Sequence, residues 1–190
     1  GFNAGSALAA NGSAAMALAV THIAAAAAGV SWMTVEWAVA KKPSVLGVVT
    51  GAVGGLVVIT PAAGFVDPTG ALVMGLIAGV VCWWGATKLK FLIGVDDSLD
   101  AFGVHGIGGL VGALLTGVFA VEAIGGTAGG LEGHWAQVGH QAWGILATVV
   151  YASGLSYTLL KVIDLAIGVR VTQDEEVQGL DLVLHGEAVP

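Results

Sequence analysis

The sequence contains few charged residues, few basic ones and almost no cysteine. Charged residues make up 10% of the 190 positions, compared with about 25% in ordinary soluble domains, which excludes a soluble globular domain. The six basic residues are outnumbered by thirteen acidic ones, so we expect no nucleic-acid partner. The only cysteine, Cys82, cannot form a disulfide within the chain or a cysteine metal cluster. We predict that it is a buried, inert thiol.

Apolar residues and glycine dominate the composition of the chain. Hydrophobic residues make up 56% of the chain and the mean hydropathy is +0.90, which together indicate a membrane protein. The 31 glycines lie mainly inside apolar runs, a pattern that indicates helices packed at close range. The first six residues contain neither an initiating methionine nor a basic segment before an apolar core. They do not resemble a signal peptide, and we expect the chain to start within a longer protein.

Charges and turn residues divide the chain into five long apolar segments. Each segment is close to the roughly 20 residues that a membrane-spanning helix needs, although the second and third are short. The segments are residues 13–39, 44–59, 71–87, 101–120 and 141–160. The sequence therefore predicts an all-α polytopic membrane protein with five spans.

The basic residues all fall at one end of these segments if the spans alternate in direction. They follow the first, third and fifth segments: Lys41, Lys42, Lys88, Lys90, Lys161 and Arg170. The positive-inside rule assigns that end to the cytoplasm. We therefore expect a multi-pass protein of the cell (inner) membrane, embedded in the lipid bilayer over residues 1–170 and carrying a cytoplasmic tail at 171–190.

Glycines recur every four residues in three of the segments. The three series are Gly47, Gly51 and Gly55; Gly75 and Gly79; and Gly108 and Gly112. Each series lies on one face of a helix, and small residues at this spacing let helix backbones approach closely in lipid. The spacing predicts a bundle of contacting helices rather than separate anchors.

His105 is the most informative single residue, because it lies inside the uncharged apolar run 101–120. An ionisable ring at membrane depth is costly and marks a candidate functional site. Helical spacing predicts that it shares a face with Phe102, Gly108, Gly109, Gly112 and Thr116. Two interpretations remain open at this point. The ring is either a neutral histidine hydrogen-bonded to another helix, or a neutral imidazole that offers one donor and one acceptor inside a narrow pore.

We expect the other polar residues in or near the spans to have structural roles. His22, in the middle of the first segment, is expected to pack at a helix contact. Glu36 lies within reach of Lys41, and Asp164 within reach of Lys161, so we predict that both are structural carboxylates, either paired or hydrated. Asp97 and Asp100 precede the fourth segment and are expected to cap its N-terminus. No metal site, cofactor or catalytic residue is predicted.

Several motifs in the chain resemble those of one transporter family. They are Phe2-Asn3-Ala4-Gly5-Ser6, Glu36-Trp37 before Lys42-Pro43-Ser44, Thr60-Pro61-Ala62, Val95-Asp96-Asp97, Asp100-Ala101-Phe102-Gly103-Val104-His105-Gly106, Gly179-Leu180-Asp181 and His185-Gly186-Glu187. Together they resemble the second half of an ammonium transporter of the Amt/Mep/Rh superfamily, and of its Amt branch in particular.

The resemblance implies a fold of eleven spanning helices, assembled as a homotrimer with one pore in each subunit. This chain would supply the C-terminal half of that fold: the end of helix 6 and helices 7–11. Phe2 would be one of the aromatic rings that gate the outer mouth of the pore. Ser6 would accept a hydrogen bond from ammonium during its recruitment, and His105 would be one of two histidines that line the pore.

The implied function is ammonium or ammonia transport, with methylammonium as a substrate analogue, and not catalysis. In this interpretation ammonium is deprotonated and crosses the apolar section as ammonia, while potassium keeps its charge and its desolvation cost. The resemblance also implies a PII-type regulator on the cytoplasmic face. The alternative function is an ammonium sensor of the same fold that signals through its cytoplasmic tail.

Overall fold

Helices account for all the regular secondary structure that the computed structural model describes, which covers residues 1–188. The α-helices are α1 (Phe2–Gly5), α2 (Gly12–Ala40), α3 (Val45–Ile59), α4 (Pro68–Trp84), α5 (Lys90–Ile93), α6 (Ile107–Phe119), α7 (Glu122–Gly125), α8 (Ala136–Ile167) and α9 (Gln173–Gln178). Three π-helical turns occur at Gly85–Leu89, Phe102–Gly106 and Asp181–His185, and a 3₁₀ turn occurs at Gly130–Glu132. We refer to them as the first, second and third π-helical turns and the 3₁₀ turn.

Each of the five predicted segments corresponds to one long helix. Four helical runs in residues 1–188 are long and apolar enough to cross a membrane: Gly12–Ala40, Pro68–Ile93, Phe102–Phe119 and Ala136–Ile167. The fifth, α3, has 15 residues and is about 22 Å long at 1.5 Å per residue. The predicted segments 71–87 and 141–160 are shorter than their helices, because the helices continue past the charged residues that ended the apolar runs.

Side chains at the N-termini of α2, α3 and α4 fix where these helices begin. Asn11, Ser44 and Asp67 each accept a hydrogen bond from the backbone N–H three residues later. These acceptors satisfy N–H groups that lack a partner within the helix. Pro68 occupies the first position of α4, where its missing N–H costs nothing.

Helix α2 packs between α3 and α4 at the centre of the bundle. A Cβ atom on Gly55 of α3 would lie 2.5 Å from the carbonyl oxygen of Ala24, and one on Gly75 of α4 would lie 2.5 Å from the same oxygen. The backbones of α3 and α4 therefore both lie against the backbone of α2 at Ala24. The predicted role of the glycine series in helix contacts is confirmed, and Cys82 is buried in the same core as expected.

Two polar side chains of α2, Glu36 and His22, make contacts other than those named from the sequence. The carboxylate of Glu36 does not pair with Lys41 but accepts hydrogen bonds from the backbone N and the hydroxyl of Ser44, at 3.0 and 2.9 Å. The chain turns back between α2 and α3, which brings the start of α3 closer to Glu36 than the Lys41 ammonium group.

His22 is exposed, with Nδ1 2.9 Å from the carbonyl oxygen of Leu18 in its own helix. The helix contact expected for it is not made within residues 1–188.

The chain forms two compact units, residues 1–145 and the residues from 146 onward. The first unit contains α1 to α7 and the start of α8, and the second contains the remainder of α8 and α9. Within the second unit, Thr172 and Glu175 form a reciprocal capping box at the start of α9. Arg170 Nε lies 2.6 Å from Glu176 Oε1.

Candidate functional site

His105 lies in the second π-helical turn, where its side chain is exposed. It lines a groove of about 610 Å³. The other residues of the groove are Val53, Leu56, Val57, Thr60, Pro61 and Gly109. None of them is charged, so the imidazole is the single ionisable side chain in an otherwise largely apolar lining.

The predicted face of His105 divides into two parts. Gly109 lines the groove together with His105, whereas Gly108, Gly112 and Thr116 are buried. A Cβ atom on Gly112 would lie 2.9 Å from the Cα atom of Val58 in α3. Gly109 is thus the member of the predicted face that lines the groove with His105, whereas the buried Gly108 and Gly112 contact neighbouring helices.

Phe2 and Ser6 line a second cavity, of about 320 Å³. The Phe2 side chain is 88% exposed. The Ser6 hydroxyl donates a hydrogen bond to the carbonyl oxygen of Phe2 at 3.0 Å. Because its one proton is used in this way, the hydroxyl oxygen retains lone pairs that can accept from a donor in the cavity.

Thr60 and Pro61 line both the second cavity and the His105 groove. Asn3 fixes α1 next to this shared wall: its Nδ2 donates to Thr21 Oγ1 at 3.1 Å and lies 3.4 Å from Thr60 Oγ1. Sequence reasoning assigned no site role to Asn3 or Thr60. Both residues could have been recognised as candidates, because they are polar, lie at the borders of apolar segments and belong to motifs that carry the family resemblance.

The turn before the second π-helical turn is held by two aspartates with different roles. Asp97 Oδ2 accepts hydrogen bonds from the backbone N–H groups of Phe102 and Gly103, both at 3.0 Å, so its predicted capping role is confirmed. Asp100 does not cap the helix with its side chain. Its carboxylate instead forms an ion pair with Lys90, with Nζ and Oδ1 2.5 Å apart, because the positive φ of 56° at Asp100 breaks the helical path before Ala101.

The surroundings of Asp97 lower the pKa of its carboxyl group. Loss of hydration raises the pKa of its carboxyl group, but hydrogen bonds from backbone N–H groups and the charge of Lys90 lower it by more. The net pKa lies below the ordinary value of 3.8. Asp97 is therefore an anion at neutral pH, the form in which it caps the helix most strongly.

No group of three histidine, cysteine, aspartate or glutamate side chains within residues 1–188 is placed to hold a metal ion. His140 Nδ1, near the start of α8, lies 3.2 Å from Gln137 Oε1.

A helical bundle of this apolar character, with two adjoining and mostly apolar cavities, defines the chain as part of a polytopic α-helical membrane protein. The comparison with known families identifies which one. The profile of the Ammonium Transporter Family matches residues 1–189, and the chain belongs to that family.

Similar proteins include ammonium transporters from two bacteria. The chain is 46% identical to the ammonium transporter of Bacillus subtilis (strain 168) over 189 residues, which are 98% of this chain and 47% of that protein. It is 48% identical to the ammonium transporter of Aquifex aeolicus (strain VF5) over 187 residues, which are 98% of this chain and 44% of that protein. The chain thus spans about half the length of the curated relatives it matches.

Solved structures share the fold. The crystal structure of Saccharomyces cerevisiae Mep2 matches with a TM-score of 0.85 and 36% identity, over 91% of this chain and 40% of that one. A structure described as a sensor Amt protein matches with a TM-score of 0.85 and 29% identity, over 96% of this chain and 45% of that one.

Proposed function

We propose that this chain is the C-terminal half of an ammonium transport protein and that the His105 groove is a section of its substrate path. The observation that carries the proposal is the shared wall at Thr60 and Pro61, which joins the groove to the cavity of Phe2 and Ser6. The cavity presents the polar side chains of Asn3, Ser6 and Ser13, and the adjoining groove is lined by valine and leucine beside His105, an order that suits a dehydrating pore. Family membership and the names of the relatives support ammonium as the solute.

The cavity of Phe2 and Ser6 receives ammonium in this proposal. The four N–H groups of ammonium need acceptors, and the lone pairs of the Ser6 hydroxyl supply one. The face of the exposed Phe2 ring attracts a cation by about 0.5 to 2 kcal/mol, depending on how far the cation is desolvated. Phe2 thus serves as the outer aromatic gate and Ser6 as the recruiting hydroxyl.

The groove then selects against charged solutes. Its lining by Val53, Leu56 and Val57 offers an ion no replacement for its hydration shell, and removing that shell costs many kcal/mol. Ammonium avoids this cost by giving up one proton and crossing as ammonia, whereas potassium has no proton to lose. His105 hydrogen-bonds the ammonia through one ring nitrogen and takes part in relaying the released proton.

Uptake of labelled methylammonium by vesicles that contain the complete transport protein tests this role. We expect His105→Ala to alter the uptake rate by at least tenfold or to remove the discrimination against potassium. His22→Ala is the matched control, because His22 is also a histidine on a spanning helix but does not line the groove. Unchanged uptake and selectivity in His105→Ala would refute the role of His105.

An ammonium sensor is the second candidate function. The observation in its favour is the fold shared with the sensor Amt protein, at a TM-score of 0.85. A sensor binds its ligand without appreciable flux, so it would bind methylammonium without accumulating it. Accumulation inside the vesicles at a rate above protein-free vesicles establishes transport, and saturable binding without accumulation establishes the sensor.

The membrane arrangement belongs to the same proposal. Residues 1–170 form the part embedded in the inner membrane, residues 171–190 form a cytoplasmic tail, and three copies assemble as a homotrimer. The tail includes the capped helix α9, whose Glu176 pairs with Arg170 at the border of the embedded part, and this gives a PII-type regulator an ordered surface to contact. Chemical cross-linking in native membranes tests the trimer, and protease sensitivity of the tail in vesicles of known orientation tests the topology.

A further inference from the structure

The first and second π-helical turns contact each other through their backbones. Gly85 and Gly103 are both buried. A Cβ atom on Gly85 would lie 2.6 Å from the carbonyl oxygen of Gly103, and one on Gly103 would lie 2.7 Å from the backbone nitrogen of Ala86. Neither position has space for a side chain, so the two turns fit together only because both residues are glycine.

The contact continues on both sides of His105 along the chain. Before it, the Cys82 thiol lies 3.7 Å from the carbonyl oxygen of Val104. After it, a Cβ atom on Gly108 would lie 3.1 Å from Cys82 Sγ. Residues 103, 104 and 108 therefore rest on the end of α4, while His105 between them faces the groove.

We propose that Gly85 is a positioning residue for His105, and this inference rests on the proposed function of His105 in the substrate path. The backbone contact at Gly85 holds the second turn in its π-helical form. In that form the His105 side chain is exposed and lines the groove, while Gly103 and Val104 just before it are buried. A change from this wider turn to a regular α-helical turn would rotate residue 105 relative to the groove. Single π-helical turns inside α-helices are frequent at functional sites, which agrees with this role.

The geometry sets the size of the expected disturbance. A methyl group at Gly85 would have to retreat from the Gly103 carbonyl oxygen by about 0.8 Å, from 2.6 Å to the 3.4 Å of an ordinary contact. The neighbouring atom is backbone, which cannot rotate away as a flexible side chain can. The displacement is therefore transmitted to His105, two residues further on. Shifts of about 1 Å are large enough to change the function of a site by about a hundredfold.

The test measures the position of residue 105 without measuring transport. A cysteine replaces the histidine (His105→Cys) in the complete protein, and its reaction rate with a small water-soluble methanethiosulfonate reagent is measured. Protein without the introduced cysteine gives the background, to which the buried Cys82 contributes little. The same rate is then measured with Gly85→Ala added. Val53→Cys, with and without Gly85→Ala, is the matched control, since Val53 lines the same groove from α3.

We expect Gly85→Ala to slow the modification of His105→Cys at least tenfold, while Val53→Cys changes less than twofold. Gly103→Ala should have the same effect, and the double variant should add little, because both changes disrupt one contact. An unchanged rate at position 105, or an equal change at both cysteines, overturns the proposal. Because labelling needs no substrate, a failure of the transport role of His105 would appear only in the uptake assay and is distinguished from a failure of this inference.

Discussion

Asp97 Oδ2 lies 3.0 Å from the backbone nitrogen of Gly103, so a carboxylate outside the spans is joined directly to the turn that carries His105. The bond fixes one end of that turn, and the contact with Gly85 fixes its side. The pH dependence of stability follows from the same bond.

The first prediction concerns acid unfolding. The pKa of Asp97 is lowered in the folded protein, so its stabilising effect is complete above the ordinary value of 3.8 and is lost as the pH falls toward the lower folded value. Asp97→Asn keeps an acceptor but has no proton to bind, so we expect a weaker loss of stability below about pH 4. Thermal unfolding in detergent between pH 3 and 7 measures this. Asp96→Asn is the control, and an identical pH profile for the two variants would exclude the effect.

The second prediction concerns the junction of α2 and α3. Glu36 accepts two hydrogen bonds from Ser44, and a typical intramolecular hydrogen bond contributes about 1 kcal/mol net. We expect Glu36→Ala to destabilise the protein by about 2 kcal/mol and Glu36→Gln by less, because glutamine retains an acceptor. Unfolding midpoints in detergent give the comparison. Equal midpoints for Glu36→Ala and the unmodified protein would show that these bonds are replaced by water.

The third prediction concerns the contact of α4 with α2. A Cβ atom at Gly75 would overlap the Ala24 carbonyl oxygen at 2.5 Å, so Gly75→Ala should destabilise the fold by about 1 to 3 kcal/mol through overpacking. Gly139→Ala is the control, since no atom lies within 4 Å of the added methyl group. Alanine is a better helix former than glycine, and the control should therefore unfold at the same temperature or slightly higher. The prediction fails if both variants keep the original midpoint.

The fourth prediction concerns recruitment. Removing the Ser6 hydroxyl takes away one acceptor for ammonium, and a hydrogen bond to a charged group contributes about 1.5 to 3 kcal/mol. We expect Ser6→Ala to raise the half-saturating methylammonium concentration about tenfold or more. Ser98→Ala, in the exposed turn before the second π-helical turn, should leave it unchanged. Kinetics of labelled methylammonium uptake measure both, and an unaltered half-saturating concentration in Ser6→Ala would remove Ser6 from the substrate path.

The sequence predicts the long helices well, because apolar runs between charges and turn residues correspond directly to helices α2 and α3. Asn11, Ser44 and Asp67 show why the starts of helices are readable: a capping side chain leaves a local signal. The ends of α5 and α8 are less readable. Once a helix passes into the polar region, its continuation no longer depends on apolar residues.

The candidate site is only partly predictable. His105 is identifiable because an ionisable residue in an apolar run is costly, and Phe2 and Ser6 come from the family resemblance. The π-helical turn could not be predicted, since it depends on the contact of Gly103 with Gly85, eighteen positions earlier. Thr60 was missed for the same reason: its place between two cavities arises only when α1 and α3 come together.

The length of α3 sets a limit on the proposed path. A bilayer's hydrocarbon core is about 30 Å thick, whereas α3, which supplies Val53, Leu56 and Val57 to the groove, is about 22 Å long. Ammonia that travels beside α3 would therefore be without water for only part of the membrane's thickness. Since permeation slows with the length of the dry interval, a short wall helix favours rapid flux through a pore that still excludes ions.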